Sequence, residues 1–230
     1  MLKKIKLIFL SGLFSCISYS QEMHVNGGIL PFYYDSSGKA FFLMGQEPNG
    51  VWADFGGRYE QGENCLETAS REFSEETRYV FGKFASGLKN LEKKADASCL
   101  KSSIDYIKER ISGKLVHPKK YYVMYLAHVD FIPAQTFTKA YKVPHYEKTD
   151  YAWVPVAEFM ETIKNTDDRL HAFYGSKQIR RQIFDVFKAH HDDIIRLIYP
   201  TKRAKNSQDQ KVCRSDAKAK STISKKSATK

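Results

Sequence analysis

Glu72, Glu75 and Glu76 stand at i, i+3 and i+4, a spacing that at about 100° per residue sets all three carboxylates on roughly one quarter of a helix face. Three clustered carboxylates repel one another until a cation arrives, and carboxylate oxygens are the ligands that hard divalent ions prefer. Such ions neutralise phosphate charge and activate water, so the chemistry open to this cluster is metal-assisted hydrolysis of a pyrophosphate. Taken alone, the segment EFSEET also fits an ordinary solvated helix face, because Glu is a good helix former.

The acids require a helix with one buried side. Residues 63–77 supply it: Leu66, Ala69, Phe73 and Thr77 recur at three- and four-residue intervals as an inward stripe, which leaves the acids along its rim. Upstream, ILPFYY and KAFFLM flank Asp35, Ser36, Ser37 and Gly38 and predict a hairpin, and VWADFGG leads into the helix. Downstream, YYVMYLAHVDF over 121–131 predicts a central strand, and 151–154 a shorter one ending at Pro155. Helices are predicted over 99–111, 156–164 and 176–198. The lysine-rich stretch 82–119 is expected to be a surface insertion.

With the flanking residues added, GRYEQGENCLETASREFSEETRY resembles the Nudix box: Gly57, then Glu63, Arg71, Glu72, Phe73, Glu75, Glu76 and Tyr79 fall in register. Arg78 departs from the pattern, standing where that family has glycine. The hairpin, VWADFGG and EKTDYAWVPVAEF resemble the rest of such a domain. The resemblance implies an α/β (α+β) fold, a Nudix-like α-β-α sandwich with a mixed β-sheet between helices. It also implies that Glu72, Glu75 and Glu76 bind Mg²⁺ or Mn²⁺, that one of them or a later acid deprotonates water, that Arg71 and Glu63 pair to hold loop and helix in register, and that Gly57 permits the loop's turn. The implied substrate is a nucleoside diphosphate linked to another moiety, or a related organic pyrophosphate. The alternative is a non-catalytic module that binds a nucleotide or RNA. Glycine at position 78 would take a positive φ at the helix end, so Arg78 predicts reduced stability or a shifted end, with activity retained.

Other residues are weaker candidates. Glu147 or Asp150 would serve as a further ligand or base, although VPHYEKTD has the polarity of a surface turn. His145 and Tyr146 are candidates for contact with a base or sugar, and Trp52, Phe55 and Tyr59 for stacking on a nucleobase, with core packing as the rival reading of Trp52 and Phe55.

The formal charge of +11 over 230 residues does not by itself mark a nucleic-acid binder. Residues 201–230 carry ten Lys or Arg against two Asp, and residues 1–20 carry three Lys, which leaves 24 basic and 24 acidic residues in the body, 21–200. The tail, poor in large apolar residues, is expected to be disordered and suited to polyanion contact. MLKKIK followed by the apolar run 7–17 has the layout of a signal peptide cleaved after Ser20, which predicts an exported chain without a transmembrane anchor; a cytoplasmic chain is the alternative. Cys16, Cys65, Cys99 and Cys213 match no zinc or redox spacing, so free thiols are expected, with Cys65 and Cys99 the pair that an oxidising compartment would join. Nothing in the sequence bears on oligomeric state.

Overall fold

The computed structural model describes residues 25–85, 97–140, 148–166 and 178–200. The expectations for 1–20 and 201–230, and for His145, Tyr146 and Glu147, lie outside the described residues.

The elements in order are β1 (Asn26–Tyr34), β2 (Ala40–Gln46), β3 (Trp52–Ala53), β4 (Phe55–Gly57), α1 (Cys65–Glu76), α2 (Val80–Ala85), α3 (Ala97–Lys108), β5 (Ile111–Val116), β6 (Tyr122–His128), α4 (Ala134–Lys139), β7 (Asp150–Pro155), α5 (Val156–Asn165), α6 (Arg181–Ala189) and α7 (His191–Ile198). The strands form one mixed sheet. β1 runs parallel to β6 along Asn26 to Phe32, and every other pairing is antiparallel.

Because β6 takes one edge of β1, both β2 and β4 bond to its other edge, β2 through Phe32 to Tyr34 and β4 through Gly27 to Ile29. β3 likewise pairs with Gly45 and Gln46 beyond the stretch of β2 that meets β1. The short run β3, Asp54, β4 is thus wedged between two diverging strands, which draws an acidic residue into the sheet.

Both faces of the sheet are covered, so the strands read as nearly continuous apolar runs. Along β6, Tyr122, Met124 and Leu126 enter one core while Val123, Tyr125 and Ala127 enter the other. The first core packs under α5, α6 and α7 through Phe159, Ile163, Phe184, Phe187 and Ile194. The second packs under α1 through Ala69 and Phe73, with Phe55, Phe81 and Tyr106 around them. The expected sandwich is present.

Two expectations differ from the structure. Of the stretch expected as a surface insertion, α3 buries Tyr106 and Ile107 in the second core, with Cys99 buried as well, and β5 pairs with β6; its lysines conceal a buried stripe. Within the described residues of the helix expected over 176–198, α6 begins at Arg181 and the helix breaks at His190, whose N–H donates to the Val186 carbonyl at 3.0 Å. Asp192 and Asp193 then favour a new helix start by lying in the first turn of α7. Cys65 and Cys99 are not joined by a disulfide. Among the described residues no helix is long and apolar enough to cross a membrane.

Candidate active site

α1 begins in a reciprocal cap. The Asn64 side chain accepts the N–H groups of Leu66 and Glu67, each at 3.0 Å, and the Glu67 carboxylate accepts the Asn64 N–H at 2.9 Å. The loop before it turns at Gly62, whose φ is 95°. That corrects the role expected of Gly57. Gly57 ends β4, and a Cβ there would lie 2.4 Å from the Glu72 carboxylate, so this glycine makes room for an acid rather than for a turn.

Arg71 organises the acids. Its Nε donates to Glu63 Oε1 at 2.7 Å, its Nη1 to Glu72 Oε1 at 3.0 Å and Glu75 Oε2 at 3.1 Å, and its Nη2 to the Arg58 carbonyl at 3.0 Å. The pairing of Arg71 with Glu63 is present, and it ties loop to helix. Burial works to raise the Glu63 carboxyl, but the Arg71 guanidinium, the Glu60 N–H and the Thr68 hydroxyl outweigh it and hold the group below the usual carboxylate range. Burial likewise works against the Arg71 charge, and Glu63, Glu72 and Glu75 overcome it.

The third acid turns elsewhere. Glu76 is 3% exposed and lies 3.1 Å from Nζ of Lys148, whose side chain is itself buried and stands 3.7 Å from Glu47. Burial pushes the Lys148 ammonium down, yet Glu76 and Glu47 together raise it, so it stays charged. The repulsion expected within the acid cluster is therefore already relieved by two internal cations, Arg71 and Lys148.

A cleft of about 530 Å³ opens at this point, lined by Glu47, Pro48, Asn49, Gly56, Gly57, Arg58, Glu72, Glu76 and Arg180. Glu72 and Glu76 face it. Glu75, more exposed and bonded to Arg71, is not among its lining residues. Among the described residues no three His, Cys, Asp or Glu side chains converge closely enough to hold a metal ion. The donors still suit a hard divalent cation: two carboxylates line one wall, and the backbone at Gly57 leaves space that a Cβ would fill.

Beneath the cleft lies Asp54, fully buried, its Oδ2 accepting the Tyr122 hydroxyl at 2.6 Å. Burial raises its carboxyl to about 6, against the Tyr122 hydrogen bond and the Lys148 and Arg180 charges. Gly28 is required here too, since a Cβ would lie 1.8 Å from the Tyr122 hydroxyl oxygen. Sequence reading missed Glu47, Asp54, Tyr122, Lys148 and Arg180. Only Asp54 left a signal, as an acid inside the apolar run VWADF.

The remaining candidates separate clearly. Trp52 and Phe55 are 1% and 0% exposed and belong to the cores, whereas Tyr59 is 43% exposed on the loop. Asp150 is exposed at the start of β7, and its carboxylate accepts the neighbouring Tyr151 N–H at 2.8 Å.

The helix end keeps its place despite Arg78. Arg78 takes φ 56°, its N–H donating to Glu75 at 2.9 Å while the Tyr79 N–H donates to Ser74 at 2.8 Å, a Schellman pair with arginine at the glycine position. The Arg78 side chain is buried and donates to the carbonyls of Thr138 at 2.9 Å and Ala140 at 3.3 Å, at the end of α4.

The model of the NUDIX domain matches residues 28–174, which is more than half of the chain and contains the glycine, Glu63, Arg71 and the three acids. The chain belongs to the NUDIX family. Among solved structures it is similar to a Nudix hydrolase from Alicyclobacillus acidocaldarius, at 14% identity over 72% of this chain and 90% of that one, with a TM-score of 0.41. It is also similar to the NUDIX domain of Shewanella oneidensis NrtR complexed with ADP ribose, at 15% identity over 75% and 87% with a TM-score of 0.38. A third is a C. elegans Ap4A hydrolase, at 16% identity over 59% and 82% with a TM-score of 0.34. No curated protein matches. Arg180 falls outside the residues matched to the Nudix domain, and Lys148 inside them.

Proposed function

We propose that this chain is a metal-dependent hydrolase that cleaves a phosphoanhydride in a nucleoside diphosphate linked to another moiety, or in a related organic pyrophosphate. Family membership supports pyrophosphate hydrolysis in general. The observation that carries the reading here is that Glu72 and Glu76 line one cleft with Arg58 and Arg180, so a single cavity offers ligands for a cation and donors for an anionic substrate.

Glu72 and Glu76, with Glu75 beside them, would hold Mg²⁺ or Mn²⁺, which when bound neutralises phosphate charge and acidifies water. The chain's own residues do the remainder. Arg71 fixes loop and helix so that Glu72 sits against Gly57. Lys148 holds Glu76 from the buried side, and one of the carboxylates accepts the proton of the attacking water. A P–O bond forms to that water as the bridging P–O bond breaks, leaving two phosphate-bearing products.

The test is the release of phosphomonoester products, read as phosphate freed by an added phosphatase, from a panel of nucleoside diphosphate derivatives, comparing wild type with Glu72→Gln, Glu75→Gln and Glu76→Gln. Carboxylate-dependent release from at least one substrate is expected. Release from none would favour the alternative of a non-catalytic nucleotide- or RNA-binding module. Export is proposed as well, on MLKKIK and the apolar run after it; sequencing of the mature N-terminus should then begin at Gln21.

A further inference from the structure

We propose that Arg180, supplied by a segment beyond the residues matched to the Nudix domain, is an anion-binding residue of the cleft that grips the substrate's pyrophosphate group. The assignment rests on the hydrolase reading for the identity of the ligand, and on its own geometry for the site.

Three features single out Arg180 from the other cations nearby. Its backbone is pinned: the Trp52 N–H donates to the Gln178 carbonyl at 2.8 Å and the Arg180 N–H donates to the Trp52 carbonyl at 2.9 Å, which fastens the segment to β3 beside the wedge. Its side chain is 36% exposed and lines the cleft that Glu72 and Glu76 also line. Its Nη1 lies 3.0 Å from Glu47 Oε1, which fixes the guanidinium at one nitrogen. A guanidinium carries five N–H donors in a planar fork suited to two phosphate oxygens at once.

The neighbouring cations are placed differently. Lys148 is buried against Glu76 and Glu47, and Arg58 stands exposed on the loop, where its carbonyl serves Arg71. A pre-positioned arginine in the cleft that Glu72 and Glu76 also line divides it by charge. The acids take a cation, and Arg180 takes phosphate oxygens that the cation leaves uncovered. Burial opposes the Arg180 charge, and Glu47 and Asp54 sustain it.

The experiment uses the full chain with Mg²⁺ and compares wild type, Arg180→Gln, Arg180→Lys and, as control, Arg181→Gln, whose side chain is largely exposed and pairs with Asp185. Steady-state kinetics on the best panel substrate are combined with calorimetric titration of inorganic pyrophosphate, the group common to every candidate substrate. Arg180→Gln should raise KM at least about tenfold with kcat within about twofold, and weaken pyrophosphate binding similarly, at about 1.4 kcal/mol per factor of ten. Arg180→Lys should recover part of the loss, and Arg181→Gln should match wild type. A loss of kcat and melting temperature with KM unchanged would make Arg180 a structural strut and overturn the assignment. Pyrophosphate binding that is equal in wild type and Arg180→Gln, or absent from both, would overturn it as well. Hydrolysis absent from wild type, with Arg180-dependent binding intact, would overturn the hydrolase reading and leave the anion site standing.

Discussion

Burial pushes the Asp54 carboxyl up to about 6 even though Tyr122, Lys148 and Arg180 all favour its charged form. An aspartate in an unfolded chain titrates near about 4, so the folded protein holds this proton more tightly. The associated stability is present below about pH 4 and is lost as pH rises through about 6, amounting to roughly 3 kcal/mol. Asp54→Asn removes that contribution and keeps a side-chain oxygen to accept the Tyr122 hydroxyl. Denaturant unfolding between pH 4 and pH 7 should therefore show the variant gaining on wild type by roughly 2 kcal/mol. A difference that stays flat across this range would mean that Asp54 is not buried as an acid. Asp54 is also where sequence reading fell short at this scale. Its partners Tyr122, Lys148 and Arg180 come from β6, the approach to β7 and the approach to α6, and no local spacing announces a contact between such distant segments. The ligand set on one helix was legible because its spacing is local.

At the scale of the element, α1 was legible almost whole. Ala69, Phe73 and Thr77 are fully buried as their spacing predicts, and Glu72 and Glu75 lie on the rim, whereas Glu76 is buried against Lys148. Its C-terminus was not, because the compensation for Arg78 comes from α4. A left-handed backbone costs a non-glycine residue about 1–2 kcal/mol, while hydrogen bonds from a charged donor contribute about 1.5–3 kcal/mol. Arg78→Gly relieves the strain and loses the bonds to Thr138 and Ala140, so a net destabilisation of about 1 kcal/mol is expected. Arg78→Ala loses the bonds without the relief and should be worse by about a further 1 kcal/mol. Urea unfolding of the three proteins checks the order wild type, Gly, Ala. A Gly variant more stable than wild type would show that the guanidinium does not anchor α4. The break at His190 and the burial of α3 escaped the periodic pattern for a related reason: each depends on the sheet that the helices meet, His190 through its 2.8 Å hydrogen bond to the Val116 carbonyl, and Tyr106 through the core it enters.

At the scale of the molecule, charge and chemistry are divided along the chain. The body is formally neutral while the ends carry the surplus, so attraction to polyanions should belong to residues 201–230 and not to the cleft. Deleting 201–230 should abolish retention on heparin at low salt and leave hydrolysis within about twofold, since nonspecific phosphate attraction depends on the number of cations. Retention that survives the deletion would place a basic face on the body. The cleft itself is assembled from α1, β4, the end of β2 and the segment leading into α6, and its acids Glu47, Glu72 and Glu76 meet internal cations before any metal is present.

The central claim is that Glu76, held by Lys148 at the wall of the cleft, belongs to the machinery that breaks a phosphoanhydride. The decisive comparison is magnesium-dependent release of phosphomonoester products by wild type and Glu76→Gln, on the substrate that wild type turns over fastest. In Glu76→Gln, kcat should fall at least about 10²-fold, the size typical of losing a group that acts in the transition state, with the variant still folded by circular dichroism. Equal turnover by a folded Glu76→Gln would contradict it.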